Sequence, residues 1–228
     1  MTTSITSVSS SYSALAYASP APTKSVDQWT TTEIAAIDVA NINSLKPAQI
    51  SAMTTAQVNL LSTAVFAALS ASQVQALTNT QVTNLSTTNV AALTATQLNS
   101  LKATQITQLS SSQVNTISTS TLAAVKGSQL ALMSTQQVHD LATSSVAHLT
   151  TAQIASLTTD QIVGLMAAQL GAMADKVTGL TANQVAAIET ADLSGLTTTQ
   201  VESLSATQVK GLTTAQLEKL STAQFSAI

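Results

Sequence analysis

The 228-residue sequence predicts an all-α solenoid of very short capped helices, built from about 25 eight-residue repeats. Three observations carry that prediction. An apolar residue returns every eighth position, a second apolar column lies five residues after it, and a helix-start signature recurs between the two. Numbering the unit from its leucine gives Leu-Thr/Ser-x-x-Gln-Val/Ile/Leu-x-x. Position 1 runs Trp29, Ile37, Leu45, Met53, Leu61 and on to Leu212, Leu220 and Ile228, and position 6 runs Ile34, Ile42, Ile50, Val58, Phe66 to Val209, Leu217 and Phe225.

No single continuous element fits these columns. One long helix would turn its apolar stripe by about 80° per octad, so the stripe would never face one core. In one continuous strand, positions 1 and 6 have opposite parity and would point to opposite faces. A helix restarted in every unit fits. Ser, Thr or Asp stands at position 2 in 18 of 25 units, and Gln or Glu stands three residues later in 18 of 25, which is the capping-box pattern. Each helix then has about two turns, too few for stability in isolation, so the units must stack. At the usual helix spacing, two units per coil would give a rod of about 110 Å and three a rod of about 75 Å. The sequence leaves both open. A β-solenoid is the structural alternative, since Thr and Val favour strands; abundant Ala and Gln, the capping boxes and scarce glycine argue against it.

Two regions follow. Residues 1–22, rich in Ser, Thr and Ala and closed by Ser19-Pro20-Ala21-Pro22, read as a tail or linker, and residues 23–228 as the octapeptide solenoid, with Trp29 plugging its first coil. One unit, Met173 to Leu180, is a residue short. Val65, Thr121 and Ser145 interrupt the Gln column, and Lys46, Lys102 and Lys126 occupy position 2; these units lose part of the cap and keep both core columns.

Composition narrows the function classes. Only 7% of residues are charged, against about 25% in an average globular chain. The net charge is −3, arginine is absent and aromatics are 2%, so neither a phosphate-binding patch nor a base-stacking platform can form, and no nucleic-acid partner is expected. The absence of cysteine rules out disulfides, thiolate ligands and a cysteine nucleophile. No apolar run is long enough to span a membrane. The N-terminus lacks the basic and continuous apolar regions of a classical Sec signal peptide.

Candidate chemistry is sparse. His139 and His148 fall at variable positions 7 and 8 and read as scattered surface residues. Glu189 and Asp192 are spaced as a carboxylate pair, and Asp175 precedes Lys176 in the short unit, without the Gly/Asp-rich loops of calcium sites. Most glycines fall at position 7 or 8 and read as helix terminators. The Gln column reads as capping-box service in preference to an amide ladder. The Thr column offers a hydroxyl array of the kind that orders ice-like water, although the same hydroxyls are wanted as caps. No catalytic, cofactor or metal site is predicted.

The stretches "LTTAQIASLTTDQI" and "LTTTQVESLSATQVKGLTTAQLEKL" resemble the Leu-Thr-x-x-Gln-Ile/Val-x-x octapeptide arrays of large bacterial secreted and surface proteins, often grouped with adhesins. The resemblance implies export, an extracellular or cell-surface location, cell-surface components as further partners, and a structural or adhesive role. The register runs to "STAQFSAI" without a polar terminal unit, and stacked repeats whose end is uncovered accept another copy. The expected function is therefore a non-enzymatic structural protein that self-assembles head to tail into a filament or matrix. Tyr12, Tyr17, Trp29, Phe225 and Ile228 are the expected self-assembly residues. A monomeric solenoid scaffold for adhesion or protein binding is the alternative, and the ice-binding array a third.

Overall fold

The computed structural model describes residues 24–228. The expected tail, with Tyr12 and Tyr17, lies outside the described residues. The fold is all-helical: α-helices of four to six residues, with 3-10 turns at Val26–Gln28, Ile42–Ser44, Ala174–Gly179 and Leu193–Gly195. There is no strand among the described residues, which excludes the β-solenoid for this region.

The octad makes each helix and then ends it. In the unit of helix Thr55–Leu60, Thr54 is extended at φ −70, ψ 159, and its hydroxyl accepts the Gln57 N–H. The Gln57 Oε1 accepts the Thr54 N–H in return, completing the predicted capping box. The helix stops at Leu61, also extended at φ −61, ψ 132, whose N–H goes back to the Val58 carbonyl. Two consecutive extended residues, positions 1 and 2, thus form the corner after a regular octad, the short unit at Met173 being the exception.

Three such corners close a coil. The helix Pro47–Ala52 packs under Ala71–Ala76, and Thr143–His148 under Ala167–Ala172; both pairs start 24 residues, or three octads, apart. The structure therefore selects the shorter rod, about 75 Å at ordinary helix spacing. Both columns point into the stack. Ile34, Phe66, Val74 and Leu170 at position 6 are fully buried, and the leucines at position 1 nearly so up to Leu196, forming one core along the molecule that becomes only partly buried at Leu204, Leu212 and Leu220. At about 1.5–3 kcal/mol per buried aliphatic side chain, this ladder is what holds helices too short to stand alone.

The structure adds a third column. Position 8 of one coil lies directly over position 3 of the coil below, backbone near backbone. A Cβ on Gly211 would stand 2.6 Å from the Ala182 carbonyl oxygen, and one on Gly179 2.7 Å from that of Thr151. The glycines are therefore not left-handed helix terminators, as their place near helix ends suggested: none has positive φ among the described residues. They are there because the coils touch. The short unit is absorbed by the 3-10 segment Ala174–Gly179, where Ala174 adopts φ 52 and Val177 drops fully buried into the position-6 column. A left-handed alanine costs roughly 1–2 kcal/mol.

Gly211→Ala is expected to destabilise the protein by about 1–3 kcal/mol, read as a lower midpoint in urea unfolding. Gly164→Ala should cost less, because its nearest obstacle, at 2.6 Å, is the rotatable Cγ2 of Thr135.

Candidate functional site

The face between successive coils concentrates the polar chemistry of the chain. Gln73 shows the arrangement. Its Oε1 accepts the Ser70 N–H at 2.8 Å, closing the cap of its own helix, while its Nε2 donates to the carbonyls of Ile42 at 2.8 Å and Leu45 at 2.9 Å in the coil below. One side chain, 1% exposed, thus serves a helix start above and the corner below. The separations of 31 and 28 residues recur at Gln81, Gln97, Gln105, Gln113, Gln137, Gln153, Gln161 and Gln169, and again at Gln208, Gln216 and Gln224. Across the short unit the clip survives. Gln200 reaches the Leu170 carbonyl at 2.9 Å, and the left-handed Ala174 turns its own carbonyl to within 3.1 Å.

The Gln column therefore does more than the capping expected of it, and it forms no amide-to-amide ladder. At Lys46 and Lys102, which replace the cap residue, half of the box remains: the Lys102 N–H still donates to Gln105 Oε1 at 2.9 Å, whereas the Lys126 N–H goes to Asn99 instead. The capping hydroxyls are engaged too; those of Thr54, Thr150 and Thr213 each accept the amide of the glutamine three residues on.

The candidate catalytic and metal residues do not converge. His139 Nδ1 lies 2.9 Å from Asp140 Oδ1, and Ser111 Oγ donates to Asp140 Oδ2 at 2.6 Å. The carboxylate stands between the other two, so the imidazole is not placed to take the serine proton, as a nucleophilic triad requires. Hydrogen bonds from Ser111, Gln136 and His139 hold the Asp140 carboxyl at about 2, below its usual value of 3.8. His148 bonds the Ser144 carbonyl of its own helix at 2.7 Å. Asp192 accepts the Ala167 N–H at 2.8 Å and is a backbone cap rather than half of an acid pair with Glu189. Lys176, beside Asp175, donates to the Ala147 carbonyl at 2.8 Å. No group of metal-ligating side chains occurs among the described residues.

The expected assembly residues separate. Trp29 is partly buried against the first coil, whereas Phe225 is 59% and Ile228 48% exposed. On the first coil the position-5 residues are Glu33, Asn41 and Gln49. Glu33 accepts from Lys24 at 2.7 Å and from the Thr30 N–H, which hold its carboxyl at about 2, and Asn41 closes a local box with Asp38. That face is polar, and Gln49 is the glutamine it offers to a coil beneath.

Three substitutions test this site. Gln105→Leu strands the Lys102 amide and the carbonyls of Val74 and Leu77, and should cost about 2–4 kcal/mol. Gln105→Glu should be worse at pH 7, where a buried carboxylate faces two carbonyls, and should recover in acid as a protonated carboxyl regains a donor. For Asp140→Asn the sign follows from a depressed carboxyl. Its contribution is present above the unfolded value near 3.8 and is lost as pH falls toward 2. Wild type should be the more stable at pH 7, with the two unfolding midpoints converging near pH 2.

In comparisons with known proteins, the ALTTAQ repeat family matches residues 185–222, and no curated protein matches the chain. The matched segment holds the clips of Gln200, Gln208 and Gln216, and the same octads extend well beyond it. The chain is a repeat protein, and the matched segment lies within the stack of coils.

Proposed function

We propose that this is a non-enzymatic structural protein, an exported rod that assembles head to tail into a surface or extracellular filament or matrix. One observation carries the reading: the face between coils repeats from level to level, with its glutamine column interrupted at only a few octads. Its two apolar columns, its glutamine donors and its carbonyl acceptors recur with a period of one coil. A face that repeats in this way joins a coil of its own chain or a coil of another copy through the same contacts, and a head-to-tail contact that does not close makes a filament. Phe225 and Ile228 are exposed, and Leu204, Val209, Leu212, Leu217 and Leu220 in the same columns are only partly buried, so together they form the apolar part of the upper face. Gln49 supplies the clip below. With Glu33 and Asn41 in the other two places, the contact between copies is weaker than one within the chain, so assembly depends on concentration.

The polar first coil, with its Lys24–Glu33 ion pair at 2.7 Å, favours a second reading. In it the rod is a monomeric spacer or adhesion scaffold with one solvated end.

Negative-stain electron microscopy across a concentration series separates the two. Filaments of uniform width that lengthen with concentration, and that vanish in Phe225→Asp/Ile228→Asp, are the expected result. If deletion of residues 1–22 also abolishes them, the tail is the latch. Dispersed short rods at every concentration overturn assembly and leave the scaffold.

A further inference from the structure

Four octads in the middle of the rod lack a glutamine at position 5, at Val65, Asn89, Thr121 and Ser145, and those of Asn89 and Ser145 are repaired from the coil below. In the octad beginning at Leu85, position 5 is Asn89, one methylene too short; its Nδ2 stands 3.5 Å from the Val58 carbonyl. The Ser86 N–H, which a glutamine would have taken, donates instead to Asn59 Oδ1 at 2.8 Å, and Asn59 Nδ2 donates to the Asn84 carbonyl at 2.7 Å. In the octad beginning at Leu141, position 5 is Ser145 and the cap residue is Ala142, so the octad has no side-chain cap of its own. The Ala142 N–H donates to Asn115 Oδ1 at 2.9 Å, and Asn115 Nδ2 to the Asp140 carbonyl at 2.7 Å. Both asparagines stand at position 7, 27 residues before the amide they rescue.

A third asparagine shows what happens when this fit is wrong. Asn99 likewise takes the Lys126 N–H at 2.7 Å, but that octad has its glutamine. Gln129 is pushed aside. Its Nε2 turns to the Asn99 carbonyl at 2.6 Å, and its Oε1 is left buried with no hydrogen-bond partner.

We infer that Asn59 and Asn115 are register keys, each matched to one particular octad above it, that guard the array against skipping a coil as it folds. The hazard is inherent in the repeat. If one 24-residue coil loops out, the next lands on the same columns and clips, and lengthening a loop costs little entropy. Repeat chains misassemble in this way. The keys make the skipped arrangement unequal. With one coil missing, Ser86 would lie over Ala35 and Ala142 over Ala91, neither of which has an amide to offer. Asn59 would rise under Ser110, whose N–H already belongs to Gln113, repeating the conflict seen at Gln129.

Thermal unfolding and refolding test the keys together. Asn115→Ala should lower the melting temperature by about 2–4 °C. In a Ser145→Gln background the same change should cost nothing, because the glutamine takes the Ala142 N–H. Asn99→Ala should not destabilise, since Gln129 can return to its clip. The levelled chain, carrying Asn59→Ala, Asn89→Gln, Asn115→Ala and Ser145→Gln, should melt no lower than the parent yet refold from urea with a smaller yield of the native species on size exclusion. An unchanged melting temperature in Asn115→Ala overturns the pairing. A levelled chain that refolds with the parent's yield overturns the guarding role.

Discussion

A helix of four to six residues is nearly all ends. The first four N–H groups and the last four carbonyls of any α-helix lack partners inside it, so in helices this short most backbone polar groups must be satisfied from outside. Everything polar and regular in the octad answers that constraint. The hydroxyl at position 2 takes one orphan amide, the glutamine Oε1 takes another, and the glutamine Nε2 takes two orphan carbonyls of the coil below. The hydrophobic columns supply the driving force for stacking. Because backbone groups buried without partners each cost about 1–3 kcal/mol, a stack without the amides would lose much of what its leucines contribute.

Glutamine suits this place for reasons that exclude its neighbours. The site needs an acceptor and a donor on one side chain, which removes glutamate, leucine and lysine. It also needs reach: Asn89, shorter by one methylene, stays 3.5 Å from its carbonyl, whereas Gln73 closes to 2.8 Å. A neutral amide can be buried at 0 to 6% exposure without a counter-ion, which a carboxylate could not. The low charge of the chain therefore has a structural cause, since its interior polar work is done by amides and hydroxyls.

The sequence made the single helix legible and the coil less so. The columns from Ile34 to Phe225 and the Thr-x-x-Gln spacing report contacts within one octad and its corners, and these are local. The number of octads per coil is set by the angle at two extended residues, Leu61 and Ser62 for example, and no side-chain pattern spells out an angle. Once three per coil is known, the rest becomes readable. Gln73 must reach residues 42 and 45, Gly211 must be small because Ala182 lies beneath it, and Asn115 sits 27 residues before the gap at Ala142. The glycines follow the same logic: the backbone that most of them face is some 29 residues away in sequence, whereas the helix end beside each is adjacent and points to a terminator role.

The same geometry bears on function. In a globular enzyme, irregular loops bring unlike groups into one cleft; here each octad ends at the next corner and repeats. Several charged side chains at the variable positions meet residues one coil above or below, as Ser111 meets Asp140, Lys176 meets Ala147 and Asp192 meets Ala167, while His139 and His148 bond within their own octads. Each contact between coils is spent on the stack. What a chain stacked in this way can vary is its length, its end faces and the fidelity of its stacking, and it is on these that the proposed structural role would draw.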